Sequence, residues 1–445
     1  MRNLLLLGLL AALVGCSSES NFPTPTGKGT VRAINAIPQS PTVTFLIEQR
    51  ALGNLAYGAA TAGQRWDDFE YTFNFRVNIL GEDDPRVIAS QLLKVDADRD
   101  YTFLLTGDTL TPTVTLFESD ERSYDGTESI FQVQFIHAAP AEGPLDAFLA
   151  PPGTPLVAGE ELATLNFGEV SAPIDLTAED LVLTYTVAGD PTQIVFQSDT
   201  TSIVSSQSVY AMIIPATENL TAPYLGRLIN LAGGDANLVD IRIPPTIRFI
   251  QAAITLPTAD VYDDEMLTNQ ILSDFAFGDV SGDLVTTTDQ VDYTYTDAGN
   301  PGAILFEAGF TAFAGRRHNF YSLETLSGLG PLGQIVERST VATAGRARIF
   351  PAANNHQSLD LYVVDAGEPL TDETPLFTTL IYTLASPVLN FTAGSYDIYV
   401  TAEDDRSTIV AGPVQMDLAL GEFQEIVIFD TVDPATAEIR LLPTP

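Results

Sequence analysis

The architecture of this chain can be read from VQFIHAAPAEGPLDAFLA, residues 133–150, because three other segments repeat its pattern. They are VRAINAIPQSPTVTFLI at 31–47, IRFIQAAITLPTADVYDD at 247–264 and ARIFPAANNHQSLDLYVV at 347–364. In each segment apolar and polar residues alternate, a turn follows, and the alternation resumes. A period of two is typical of half-buried antiparallel strands. We therefore expect four similar units that open with a strand, a turn and a second strand.

The four segments align without a gap, and the units share four landmarks. An alanine recurs in every unit: Ala36, Ala138, Ala252 and Ala352. Eight residues later stand Thr44, Asp146, Asp260 and Asp360. A later landmark carries a glycine in three units, Gly58, Gly168 and Gly278, and reads LIYTLAS around Tyr382 in the fourth. The last landmark is an acidic turn before a hydrophobic strand: GEDDP (81–85), AGDP (188–191), AGNP (298–301) and AEDDR (402–406).

The spacing of the units predicts separate domains. Their starts lie about 100 to 115 residues apart, which is too long for a solenoid repeat and suits independent domains. Turn signals every 8 to 12 residues predict roughly seven short strands per unit, packed as a sandwich. Helical patterns are nearly absent, and the best candidate, 174–183, is equally well a strand pair.

The sequence thus predicts an all-β protein of four tandem antiparallel β-sandwich domains. The expected domains are residues 30–118, 130–231, 245–337 and 346–445. Polar connectors are expected near 119–129, 232–240 and 338–345.

The N-terminus predicts a secreted, lipid-anchored protein. Residues 1–15 combine a short basic start with an apolar run at 4–14, which is too short to span a bilayer and reads as a signal peptide. LVGC at 13–16 resembles the bacterial lipobox, in which the cysteine receives diacylglycerol and, in many bacteria, an N-acyl chain such as palmitate. Cys16 is the only cysteine, and two or three acyl chains give stable membrane anchoring.

The anchor is expected to continue into a flexible tether, residues 16–29, which is rich in Ser, Pro, Thr and Gly. Ser17 follows the cysteine in place of an aspartate, which under the rule known for enteric bacteria favours sorting to the outer membrane. No later stretch is long and apolar enough to span a membrane, so the lipid is the sole attachment expected.

The strand signature VQFIHAAP, then LDAFL, then FGEVS or FGDVS, resembles the bacterial family called domain of unknown function 4397. The resemblance extends from residue 31 to about residue 442. It is clearest in the second and third units, and weakest in the first, where Thr44 replaces the aspartate. The family implies secreted or lipid-anchored proteins with tandem Ig-like or prealbumin-like sandwiches and no assigned activity.

Charge and composition exclude several classes of function. Twenty basic against 58 acidic residues give a net charge of −38, which repels nucleic acid. One cysteine excludes a disulfide scaffold and a multi-thiolate metal site. Three scattered histidines form no triad, and no G-x-S-x-G, H-E-x-x-H or phosphate loop occurs. We expect no enzyme activity and no cofactor.

Two sets of polar residues are candidates for a site. His137 stands where other units have Asn35, Gln251 and Pro351, so we expect it to tie a turn. The column of Asp146, Asp260 and Asp360 is expected to brace the Ala-Ala-Pro turn, with cation binding as the alternative.

A calcium site is a weaker hypothesis. Asp96, Asp98 and Asp100 begin like a calcium loop but lack its glycine and distal glutamate. The simpler interpretation is a solvated acidic turn.

Three function classes follow from these observations. The favoured one is a cell-envelope protein whose tandem modules serve structural or adhesive interactions with a protein or polysaccharide. The second is an accessory lipoprotein that binds a ligand or glycan. The third is an enzyme, which would need a pocket with perturbed acids in one unit alone.

Overall fold

The computed structural model describes residues 23–217, 220–325, 328–336, 338–370 and 373–442. In these residues the chain forms 34 strands and no helix, so it is all-β as expected. No helix that could span a membrane occurs in this part of the chain. The predicted signal peptide and Cys16 lie outside the described residues.

Each unit contributes eight strands in the same order, and the second unit has two more. The first unit contains β1 (Lys28–Asn35), β2 (Val43–Ile47), β3 (Arg50–Leu55), β4 (Gln64–Asp67), β5 (Glu70–Val77), β6 (Arg86–Lys94), β7 (Arg99–Gly107) and β8 (Pro112–Asp120). The second contains β9 (Ile130–His137), β10 (Leu145–Ala150), β11 (Ala163–Leu165), β12 (Ile174–Thr177), β13 (Asp180–Val187), β14 (Asp190–Gln197), β15 (Thr201–Ser202), β16 (Ser208–Pro215), β17 (Tyr224–Asn230) and β18 (Asp235–Val239).

The last two units follow the same plan. The third contains β19 (Thr246–Gln251), β20 (Ala259–Tyr262), β21 (Gln270–Phe275), β22 (Leu284–Val285), β23 (Gln290–Asp297), β24 (Asn300–Thr311), β25 (Arg317–Thr325) and β26 (Gly328–Ile335). The fourth contains β27 (Gly345–Pro351), β28 (Ser358–Asp365), β29 (Phe377–Ile381), β30 (Leu389–Phe391), β31 (Gly394–Ala402), β32 (Asp405–Leu418), β33 (Phe423–Asp430) and β34 (Ala437–Leu441).

Every unit is a sandwich of two sheets with one topology. The inner sheet, as we call it, has the order β4-β1-β7-β8 in the first unit, and the outer sheet has the order β3-β2-β5-β6. The inner pair β1 and β7 is parallel, and so are its counterparts in the other units. An immunoglobulin constant domain instead joins strands A, B, E and D in one sheet. The strand order therefore differs from that of an immunoglobulin constant domain, and the units have eight strands, or ten in the second, rather than seven.

The core of each unit lies between its two sheets. In the first unit it is built on the fully buried rings of Phe45, Phe73, Phe75 and Phe103, and the rings of Phe45 and Phe75 stack with centroids 5.1 Å apart. In the outer sheet, burial alternates along β5 as the period of two predicts. The strands at the centre of the inner sheet differ, because β1 and β16 are buried on both faces.

The second buried face results from packing between units. Inner sheets of the first and second units share one hydrophobic cluster: Ile34, Leu104, Ile136, Tyr210 and Met212. Those of the third and fourth units share another: Ile250, Tyr321, Phe350, Val427 and Phe429. The four units therefore lie in two packed pairs.

The two pairs also contact each other. The Thr221 backbone N–H donates to the Gly315 carbonyl across 2.8 Å, which links the second unit to the third. The Ala342 N–H, in the connector before the fourth unit, donates to the Gln39 carbonyl of the first unit across 2.7 Å. The first unit thus lies beside the start of the fourth, although some 300 residues separate them.

The structure differs from the sequence-based prediction at three local positions. Residues 232–240 hold β18, an added strand of the inner sheet, rather than a connector. The tether ends early, because Lys28 and Gly29 already belong to β1 and the Thr26 N–H donates to Asp68 Oδ1 across 2.8 Å. Segment 174–183 forms β12 and the start of β13, which lie in different sheets.

We predict that Phe350→Ala lowers the free energy of unfolding of the last two units by about 3–4 kcal/mol, because it opens a cavity at their interface. The ring of Phe350 is 2 % exposed and stacks on Tyr321 with centroids 4.1 Å apart. Guanidinium unfolding, followed by hydrogen exchange in β25 and β27, measures the loss. Phe313→Ala removes a ring that is 55 % exposed and should change the free energy by under about 0.5 kcal/mol. Equal effects of the two substitutions would contradict the packing.

Candidate functional site

The polar residue that ends the first strand caps the turn after it in three units. The side chain of Asn35 accepts the Ile37 N–H (3.1 Å), and that of Gln251 accepts the Ala253 N–H (3.2 Å). His137 does the same, with its Nδ1 accepting the Ala139 N–H at 3.3 Å.

The other ring nitrogen of His137 is also engaged. Because Nδ1 accepts, the proton lies on Nε2, which donates to the Gly143 carbonyl across 2.9 Å. Burial lowers the pKa of His137, so the imidazole is neutral at pH 7. Both nitrogens are thus used to hold the turn, and the ring has the structural role expected from its column.

The glycine landmark forms a left-handed turn against the same strand end. Gly168 has a φ of 82°, and its N–H donates to the His137 carbonyl across 2.8 Å. The fourth unit makes the equivalent bond with Thr383, whose φ of 64° is unfavourable for a β-branched residue. The landmark therefore marks a turn that requires positive φ, and one unit adopts it without glycine.

The aspartate column braces a turn, but a different one from the Ala-Ala-Pro turn that we expected. Asp146 Oδ2 accepts the Gly189 N–H at 2.7 Å, and Asp260 Oδ2 accepts the Gly299 N–H at 2.9 Å. Asp360 accepts the N–H groups of Asp404 and Thr379, both at 3.0 Å. All three aspartates therefore hold the acidic turn between the fifth and sixth strands. That turn is near because the second strand pairs with the fifth.

The alanine column lies where paired units approach closely. Its four members, Ala36, Ala138, Ala252 and Ala352, are at most 2 % exposed and belong to the two clusters between units. Each alanine N–H donates to a carbonyl of the strand that pairs in parallel with the first strand, which extends this pairing by one bond. A small side chain is needed here because another unit covers this position.

Each pair is also joined by polar contacts from the glycine landmark. The Tyr57 hydroxyl donates to the Pro215 carbonyl (2.8 Å), and the Tyr382 hydroxyl donates to the Glu324 carbonyl (2.7 Å). Arginines of the partner unit donate to the landmark carbonyls: Arg227 to Gly58 at 2.8 Å and Arg440 to Gly278 at 2.6 Å. The sequence analysis missed these arginines, although they occupy equivalent positions on β17 and β34, because the landmarks it compared do not include this strand.

Buried polar groups lie at the centre of both interfaces. Between the last two units Arg248 forms a salt bridge with Glu425, and Asn319 donates to Glu425 Oε1 across 2.6 Å. Between the first two units the hydroxyls of Thr102 and Tyr210 are 2.9 Å apart. A buried salt bridge of this kind is costly to break on one side, because the remaining charge stays buried.

The three calcium candidates face separate basic groups. Lys94 Nζ lies 2.7 Å from Asp96 Oδ1, and Arg32 Nη2 lies 3.4 Å from Asp100 Oδ1. Asp98 is exposed, with Arg65 Nη2 4.0 Å away. In the described part of the chain, no group of three or more His, Cys, Asp or Glu side chains has a geometry that could hold a metal ion.

A cavity of about 790 Å³, which we call the junction cavity, lies where the first unit meets the end of β16 and the start of the fourth unit. Its walls come from turns of the first unit, from 215–217 and from 339–346. Sequence reasoning could not find it, because no repeated landmark points to a contact between the first and fourth units.

The family described as "Domain of unknown function (DUF4397)" matches residues 29–148. The resemblance seen in the sequence is confirmed there. The matched DUF4397 segment covers the first unit, where the resemblance was weakest, and the second as far as β10. No curated protein matches the sequence.

Among solved structures, the Bacillus anthracis TIE protein is similar at 8 % identity and a TM-score of 0.15. The similarity covers 92 % of this chain and 69 % of that one. At that TM-score it carries no argument about this chain.

We predict that Thr383→Gly raises the free energy of unfolding by about 0.5–1 kcal/mol, because glycine removes the steric cost of positive φ. The reciprocal change, Gly168→Ala, should lower it by about 1 kcal/mol. A Cβ at Gly168 meets nothing within 4 Å, so the cost comes from the backbone alone. Denaturant titration measures the free energy of unfolding of both variants. A destabilised Thr383→Gly variant would contradict the turn assignment.

We also predict that His137→Gln makes stability less sensitive to acid. The pKa of His137 in the folded state lies below its ordinary value of 6.5, so the unfolded chain binds more protons as the pH falls below about 6.5. The contribution of His137 to the free energy of unfolding is therefore complete above pH 6.5. It is lost as the pH falls from there through the folded pKa, at up to about 1.4 kcal/mol per pH unit.

Glutamine keeps the turn cap, as Gln251 does in the third unit, and cannot titrate. Unfolding free energies at pH 7.5 and 5.5 measure the difference. His137→Ala is the control, because it removes the cap and should lower stability at both pH values. An unchanged pH dependence in His137→Gln would rule out the proposed linkage.

Proposed function

We propose that this chain is a non-enzymatic, lipid-anchored protein of the bacterial cell envelope, which presents paired β-sandwich units for structural or adhesive interactions. The observation that carries this proposal is the structural use of every repeated landmark. The alanines lie between units, the glycine landmark forms a left-handed turn and contacts the partner unit, and the aspartates hold a turn. The residues that the four units share therefore have structural roles.

The polar groups best suited to chemistry support the same proposal. His137 uses both ring nitrogens on backbone groups, and burial lowers the pKa values of His137 and His318. The buried carboxylates of Asp146 and Asp260 each hold two partners. Groups engaged in this way are held in place by the fold and are poorly placed to react with a substrate.

Paired packing favours a role that needs rigidity. Apolar contact between whole sheets, with a buried salt bridge in one interface, makes each pair a single body. A lipid on Cys16 would hold these bodies at a membrane surface, with the outer membrane as the expected location. The short segment before Thr26 would be the link between the lipid and the first unit.

The net charge of the chain supports a protein or polysaccharide as the partner. A net charge of −38 disfavours nucleic acid and favours proteins or polysaccharides met at an ionic strength that screens the acidic surface. The lipid would be the only contact with the membrane.

We predict that Cys16→Ser abolishes both palmitate labelling and recovery of the protein in the membrane fraction of the producing cells. The cysteine is the only residue able to carry the thioether-linked lipid. Ser17→Ala is the matched control and should leave both unchanged. An unlabelled wild-type protein would refute the anchor.

The adhesive role is tested separately, by capturing envelope proteins and probing a glycan array with the purified chain. We expect a protein or polysaccharide partner whose binding is lost when Phe350→Asp separates the last two units. Turnover of an envelope substrate by the chain would overturn the non-enzymatic assignment.

A further inference from the structure

We propose that the junction cavity binds a small organic carboxylate with an apolar body, such as a medium-chain fatty acid. This site goes beyond the structural or adhesive role, and either proposal can fail without the other. The cavity is large enough for a ligand of this size, since sites for small molecules typically measure 300–1,000 Å³ and often lie between domains.

Three distant parts of the chain form the walls and are bonded to each other. The Tyr57 hydroxyl joins the first unit to Pro215 of the second, at 2.8 Å. The Ala342 N–H joins the connector to Gln39, at 2.7 Å. These bonds join turns of the first unit to the end of β16 and to the connector before the fourth unit.

Much of the wall is apolar. Pro38, Ile79, Leu80 and Val341 all line it, and the Leu80 side chain is 48 % exposed. An exposed leucine alone is ordinary, but here it stands with other apolar groups around a concave surface. Such a surface gains from covering an aliphatic chain.

The wall also carries one cation whose surroundings favour an anion. Arg346 donates from Nε to Asn390 Oδ1 at 3.0 Å and from Nη1 to Ser339 Oγ at 2.6 Å. Both partners are neutral, and among the described residues no carboxylate forms a salt bridge with this guanidinium. Burial is the one cause that lowers the pKa of Arg346, yet arginine stays charged at neutral pH.

The acid that lines the same cavity does not compensate for this charge. Glu82 forms its salt bridge with Arg86, four residues further on in the first unit. Arg346 is therefore a half-buried cation with hydrogen-bond partners but no counter-ion among the residues that the structure describes, in a chain of net charge −38. A carboxylate is the planar anion that a guanidinium binds best.

The test uses two probes with the same alkyl chain and opposite charge. Dodecanoate and the dodecyltrimethylammonium ion are titrated into the purified full chain by calorimetry, below their micellar concentrations. The overall charge of the protein favours the cation, so tighter binding of dodecanoate requires a local positive site. We expect saturable binding of one dodecanoate per chain, about tenfold tighter than the cation.

Variants locate the site. Arg346→Gln should weaken dodecanoate binding at least about tenfold, while Arg406→Gln, which removes an exposed arginine of the same unit, should leave it within about twofold. Leu80→Trp should block the cavity and weaken binding with Arg346 intact, so the test stands even if Arg346→Gln misfolds by circular dichroism.

The proposal is overturned by any of three results. The first is the absence of saturable dodecanoate binding. The second is an equal affinity for dodecanoate in the folded Arg346→Gln and Arg406→Gln variants. The third is an unchanged affinity for dodecanoate in Leu80→Trp. Cys16→Ser should still bind dodecanoate, so loss of the lipid anchor and loss of this site are separate outcomes.

Discussion

The packing of inner sheet against inner sheet is the interaction on which the rest of this structure depends. A β-strand presents alternate residues to its two faces, and the central inner strands are buried on both. One face covers the core of its own unit, and the other would lie in water if the unit stood alone. Pairing removes that second face from water, as with Ile34 and Ile136. The units therefore occur as two pairs.

Other features of the repeat follow from this pairing. The alanine column is small because the partner unit covers it, and the glycine landmark lies at the edge of the interface. Its tyrosine hydroxyls and backbone carbonyls add polar contacts to those of the buried polar groups between the units. The salt bridge between Arg248 and Glu425 crosses between units, whereas Arg32, in the same column, bonds Asp100 of its own unit, so the two pairs are not interchangeable.

Much of the local structure could be predicted from the sequence. The period of two showed the strands, and comparison of units showed that His137 shares a column with Asn35, Gln251 and Pro351, which pointed to a turn cap. The aspartate column was predicted to brace a turn, but the turn was misassigned. The choice depends on which strand pairs with the second, and strand order is a property of the sheet that spacing along the chain does not show.

The junction cavity could not be predicted from the sequence, because it too depends on contacts between distant parts of the chain. Arg346 reads as an ordinary arginine at the start of a strand, and Gln39 as a turn residue. They line one cavity because the first unit lies beside the connector to the fourth.

The amino-acid sequence alone established the all-β class, the fourfold repeat, the acidic surface and the family resemblance. Each of these depends on residue type and short-range periodicity, which any reader of the chain can count. Tertiary structure alone established the strand order, the pairing of units and the junction cavity. These depend on contacts between residues a hundred or more positions apart, and an apolar strand face looks the same in sequence whether its own unit or a neighbouring one covers it.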